Sequence, residues 1–266
     1  MTNLLFSKQL LLANKYCTFT IQPTPSSATV IIDGETTNTV SVKPGTTVVY
    51  TVSASNYYTQ SGSIVVDSDI VKEISLVKFP YSKNQVLLNI RSTSKTTSSI
   101  ILKGKGRYKL ELEAGGASGS GWQDSNVWAG GGSGAAIVVE VMLESTSYSY
   151  SVSGKTGASG FWSCGGNGSD SYFKGTNVNF TVTGGKSSYG KTKNDGGTVS
   201  NFTGTVKKTI LRKNGNSASG WTNVPGAENA GGASVYSVDG TAFGAGGSST
   251  KAGNQGFLRL TFLDED

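Results

Sequence analysis

From Cys17 to Val77 apolar and polar residues alternate with a period of two. CTFTIQ sets Phe19 and Ile21 on one side, and ATVIID, TTVVYTVSAS and GSIVV repeat the arrangement after short breaks. Valine, isoleucine, threonine and tyrosine dominate, the side chains that pack well on a pleated surface. The breaks are PTPSS, Asp33–Gly34, Lys43–Pro44–Gly45 and SNYY. They hold what turns need: glycine enters positive φ freely and proline pre-sets its own. Short strands at this spacing predict a small antiparallel sandwich.

Beyond it, VLLNI and SSIILKG bracket a Ser/Thr-rich gap, STSKTTSS, which reads as a hairpin. GRYKLELEAGG is a clean alternation with Tyr108, Leu110 and Leu112 on one face; Glu111 and Glu113 read as its solvated side. The composition then changes. Only five of the 37 glycines precede Gly115, which puts a boundary near residues 80–105. The glycine stretches alternate with strand-like runs: AAIVVEVML, YSYSVSG, NVNFTVTGG, GTVKKTILRK, ASVYSVDG and GFLRLTFLDED.

Those runs exclude a flexible linker, whose chain entropy no buried surface opposes. They also exclude a phosphate-binding loop, which needs GxxxxGK[ST] between a strand and a helix. Lys155–Thr156 and Lys186–Ser187 lack that spacing, and no helical pattern follows any glycine cluster. Repeated glycine has another use. Without Cβ atoms, extended segments with three residues per turn can lie almost in contact, and each keeps an N–H for lateral hydrogen bonds. Such a polyglycine-II-like bundle satisfies its backbone with little apolar core. It is the expectation for the runs around residues 115–121, 130–134, 165–168, 184–190, 196–197 and 226–247.

Two resemblances follow. PSSATVIIDG with VKPGTTVVYTVSASNYYTQSGSIVV resembles the PEGA-like β-domains of bacterial surface and phage virion proteins, through Pro25, Ala28, Val30, Ile32, Asp33, Gly34, Pro44, Gly45 and Tyr57. Asn56 departs from the pattern, standing where the family carries glycine. The resemblance implies a small spacer or interaction module with no catalytic residues. From Gly106 onward the order of features is similar to the glycine-rich domain of phage tail-fibre and tail-tip proteins. The matching segments are 109–121, 130–141, 148–157, 165–173, 184–185 and 244–262. That domain lies in virion appendages, some of which contact the host surface.

Charge and chemistry narrow the picture further. Lys and Arg outnumber Asp and Glu by 23 to 17, a net charge of +6, but the densest basic cluster is only Lys207, Lys208, Arg212 and Lys213. A nucleic-acid partner would call for a focused patch interleaved with stacking aromatics; the cluster reads equally as a face toward an acidic glycan or as a solvated strand edge guarded by lysines. There is no histidine, so the commonest general base and metal ligand is missing. Cys17 and Cys164 are too far apart in sequence for a CxxC site and read as free, buried thiols. No catalytic set stands out, and the expectation is a protein without enzymatic activity, cofactor or bound metal.

Two groups of residues are left as candidate contact sites. The four tryptophans all lie beyond Gly115. Trp122, Trp128, Trp162 and Trp221, with Phe161 and Tyr189, are candidate receptor-binding residues, since aromatics on rigid loops make platforms for sugars or proteins. The simpler role for most of the indoles is to cover the glycine bundle. The opening segment carries Leu4, Leu5, Phe6, Leu10, Leu11 and Leu12; Lys8 interrupts its apolar run, and it reads as a segment that docks on a partner or on the chain's own first domain instead of a secretion signal, the resemblances implying a virion partner.

The expected chain is therefore all-β: a docking segment at 1–16, a PEGA-like β-sandwich at 17–80, and a glycine-rich β domain at 81–266 with its core at 106–266. The resemblances imply a homo-oligomeric virion protein. Its partners would be other tail or capsid proteins through the N-terminal part, and a host-surface glycan or protein beyond it. The first expectation is a tail-fibre or tail-tip appendage. The alternatives are a capsid-attached head fibre or decoration subunit, and a bacterial surface adhesin.

Overall fold

A computed structural model describes residues 16–122, 127–157, 162–163, 165–187, 194–219, 221–222, 230–249 and 251–264. Every regular element in them is a strand. The chain divides into two compact units, Met1–Ser82 and Lys83–Asp266.

The first unit holds β1 (Cys17–Thr24), β2 (Thr29–Ile32), β3 (Glu35–Thr36), β4 (Thr39–Val42), β5 (Thr46–Ser53), β6 (Gln60–Val66) and β7 (Ile70–Ser75). They form two sheets, ordered β4-β1-β7 and β3-β2-β5-β6, with β1 and β7 parallel and the other pairs antiparallel. Alternation delivers Cys17, Phe19, Ile21, Val30, Ile32, Val48, Tyr50 and Val52 to one core. The turn dipeptides act as their chemistry dictates. Asp33 and Gly34 both take positive φ, 49° and 89°, between paired Ile32 and Glu35, as a type I′ hairpin requires. Gly45 has φ 83° after Pro44, and the Thr46 amide donates to the Lys43 carbonyl at 3.1 Å, a type II turn. Asn56 adopts φ 67°.

In the second unit the chain runs through β8 (Val86–Ile90), β9 (Thr96–Ile101), β10 (Gly106–Glu113), β11 (Ser120–Trp122), β12 (Val127–Ala129), β13 (Ala136–Leu143), β14 (Ser147–Val152) and β15 (Trp162–Ser163). It continues through β16 (Ser171–Gly175), β17 (Val178–Val182), β18 (Val199–Thr203), β19 (Val206–Lys213), β20 (Trp221–Thr222), β21 (Ser237–Val238), β22 (Thr241–Ala242) and β23 (Phe257–Asp264). Two five-stranded sheets, β19-β13-β10-β23-β8 and β18-β17-β16-β14-β9, make a sandwich that touches through β10 with β16 and β13 with β17. Register puts Tyr108, Leu110, Leu112, Ile137, Val139, Val141, Leu258, Leu260 and Phe262 on one face, all buried. The other sheet buries Tyr148, Tyr150, Phe173 and Phe180, with Tyr148 stacked on Phe173 at 5.2 Å between ring centres.

Three expectations are corrected here. STSKTTSS is not a hairpin: β8 and β9 belong to different sheets, paired with β23 and β14. ASVYSVDG is not a framework strand; within it only Ser237–Val238 is regular, pairing in a short hairpin with Thr241–Ala242. Glu111 and Glu113 are fully buried, because residues 234–243 lie over that side of β10. At the far end of β10, Arg107 donates to the Asp264 carboxylate at 2.5 and 2.9 Å.

The glycine segments leave and rejoin the strands at one end of the sandwich, and their hydrogen bonds repeat every third residue. Along 114–119, Ala114 and Ala117 donate to Ala135 and Gly132, Gly115 and Ser118 to Ser169 and Gly166, and Gly116 and Gly119 to Asn254 and Lys251. Along 131–135, Gly131 and Gly134 donate to Gly247 and Gly244, Gly132 and Ala135 to Lys186 and Thr183, and Ser133 to Asn216. A three-residue turn aims successive amides at three different neighbours, so one segment bonds several others at once. The contact is too close for a side chain: a Cβ on Gly132 would lie 1.9 Å from the Asp195 carbonyl oxygen.

Candidate interaction sites

The buried acidic side of β10 is the most elaborate polar cluster among the described residues. Glu111 faces Arg259 in the β10–β23 register. Arg259 donates to it through Nε at 2.5 Å and Nη2 at 2.7 Å, Lys109 Nζ lies 3.3 Å away, and the Tyr236 hydroxyl donates to it as well. Burial alone would raise the Glu111 carboxyl; the guanidinium, the phenol and the ammonium outweigh it and hold it below the usual range. Burial and then the Glu111 carboxylate push the Tyr236 hydroxyl up.

Glu113, two residues on, has far less support. The Ser234 hydroxyl donates to Oε1 at 3.1 Å, and Oε2 has no partner among the described residues. Burial pushes this carboxyl up to about 9, so it is a neutral acid at pH 7. The pair thus splits into one carboxylate clamped by cations and one carboxylic acid. Phe243 stacks on Phe257 at 4.8 Å, and Arg91 lies 5.6 Å over the Phe257 ring. Arg91 also pairs with Asp239. These contacts fasten the 234–243 segment to the sheet, and that is a structural task. Among the described residues no group of His, Cys, Asp and Glu is arranged to hold a metal ion.

The backbone brings the four tryptophans onto one small sheet, β15-β11-β12-β20. Trp122 is the register partner of Trp162 and of Val127, Trp128 of Gly121 and Thr222, and Trp221 of Ala129. Cross-strand partners share a face, so positions 122, 162 and 221 fall on one face and 128 on the other. Sequence spacing gave no hint of this convergence, because the four positions span a hundred residues. Phe161, Tyr189 and the tryptophan side chains lie outside the described residues. So do Cys164 and the apolar docking set Leu4, Leu5, Phe6, Leu10, Leu11 and Leu12. Cys17 is a free, buried thiol. Lys207, Lys208, Arg212 and Lys213 lie on β19, an exposed edge strand.

The molecule so far is an all-β chain of two units, one a small sandwich and the other a sandwich extended by cross-bonded glycine segments. Residues 16–78, within the first of these units, match the family described as "Head fiber dimeric protein-like domain". The chain is similar to the head fiber dimeric protein of Bacteroides phage crAss001, with 44% identity over 72 residues. The alignment takes in 27% of this chain and 58% of that protein.

Proposed function

We propose that the chain is a structural virion protein of the head-fibre type, built as a homodimer through its N-terminal unit and without enzymatic activity. The observation that carries this reading is the match of residues 16–78 to the head fiber dimeric protein-like family, which falls within one compact unit; the 44% identity over 72 residues to a phage head fiber dimeric protein supports it. It favours the capsid-attached alternative over the tail-fibre expectation. The glycine-rich unit is then the outward part, a polyglycine-II-like bundle stiffened by backbone bonds running sideways between segments. Host contact through the tryptophan-bearing sheet belongs to the same reading, with the shared face of positions 122, 162 and 221 as its support.

Immunogold electron microscopy of purified virions that carry this protein tests the assignment. Antibody raised against the chain should decorate the capsid at regular intervals. Label confined to the tail tip, or absent from intact particles, would overturn it.

A further inference from the structure

The sheets of the N-terminal unit end on four strands, and one of these edges is unguarded. β3 has two residues and β4 has four, while β7 carries Lys72 and Glu73. β6 is seven residues long, QSGSIVV, with no charge and no proline. Proteins blunt long edges with charge, proline or a bulge, because an open edge recruits another strand.

Val49 uses both of its groups toward β2: its carbonyl accepts from the Asp33 amide, and its amide donates to Asp33 Oδ1, each at 2.8 Å. The two groups of one residue point the same way in an antiparallel ladder, and the direction alternates along the strand. Val48, Tyr50 and Val52 therefore bond their β6 partners Ile64, Gly62 and Gln60. Ser61, Ser63 and Val65 are left with their amides and carbonyls aimed away from the sheet. Beside this edge the outer face is uncharged and apolar in part, with Val49 55% and Val65 51% exposed.

We propose that β6 pairs antiparallel with β6 of a second copy of this chain, about a two-fold axis at Ser63, joining two sheets into one. The inference rests on the dimer in the proposed function and supplies its seam. A two-fold contact must be self-complementary, residue i meeting j while j meets i. Centred on Ser63, the register sets Ser63 opposite the partner's Ser63 and Ser61 opposite the partner's Val65. That register uses all three outward residues, and any other centre leaves at least one unpaired. An uncharged strand meets its own copy without like charges opposed.

The test uses the full-length chain with Cys164 replaced by serine. Residues opposed in a hydrogen-bonded pair have Cα atoms about 5.5 Å apart, within disulfide reach. Ser63→Cys should therefore give a disulfide-linked dimer on mild oxidation. Val71→Cys, on exposed β7, should not. Ser63→Lys sets two ammonium groups face to face and should weaken self-association in sedimentation by roughly tenfold or more, with its melting temperature checked to show that it folds. If Ser63→Lys fails to fold, the cysteine pair decides. A monomeric native chain at micromolar concentration would remove the dimer reading and this seam with it. A dimeric native chain that Ser63→Lys leaves intact, and that Ser63→Cys links no faster than Val71→Cys, would overturn the seam alone.

Discussion

A carboxyl group sealed from water beside a single hydroxyl keeps its proton, and Glu113 is such a group. Its pKa is about 9 in the folded chain against about 4.3 in an unfolded one. The folded state therefore binds the extra proton between those values. The contribution of Glu113 is fully present below the unfolded value and is lost as pH rises toward 9. Denaturant titrations should show the stability of the second unit falling by about 1 kcal/mol per pH unit across that window. Glu113→Gln keeps the shape without the ionisation and should flatten the slope; equal slopes in the two proteins would contradict the buried neutral acid. Glu111 and Glu113 also mark a limit of reading sequence. The alternation in GRYKLELEA correctly separates two faces, but not what covers each. The covering residues Ser234 and Tyr236 lie 121 and 125 positions away from their partners, beyond any local signal.

At the scale of elements, what the sequence made legible was whatever short-range chemistry decides. Asp33–Gly34 and Pro44–Gly45 turn where their backbone preferences require. β10, β13, β17 and β23 follow their apolar patterns. Pairing over distance was not legible, which is why STSKTTSS read as a hairpin although its flanking strands join separate sheets. The convergence of the tryptophans on one sheet was hidden for the same reason. The glycine segments were legible as ordered, since glycine alone permits the approach. The structure adds which segments bond which, and this sorts the glycines by consequence. Gly132→Ala drives a methyl into the Asp195 carbonyl and should cost about 1–3 kcal/mol. Gly166→Ala enters open space and should stay within about 0.5 kcal/mol of the native chain. Thermal unfolding of the two variants side by side checks this, and equal losses would mean that close backbone packing does not decide glycine's place here.

For the whole molecule, the proposed function pairs a head-fibre-type unit, completed by a second copy, with a glycine-rich unit made rigid by backbones that bond one another. The first half of that statement rests on similarity and on an open edge at β6. The second half rests on the three-residue repeat of lateral hydrogen bonds, and it makes the larger physical claim, since a bundle with so few side chains has little else to hold it. Hydrogen–deuterium exchange on the full-length chain addresses it most directly. Amides of Ala117, Gly132, Gly197 and Gly246, each bonded to a neighbouring segment, should exchange as slowly as those of β10 and β13. Exchange of these four amides within seconds, while β10 and β13 stay protected, would contradict it.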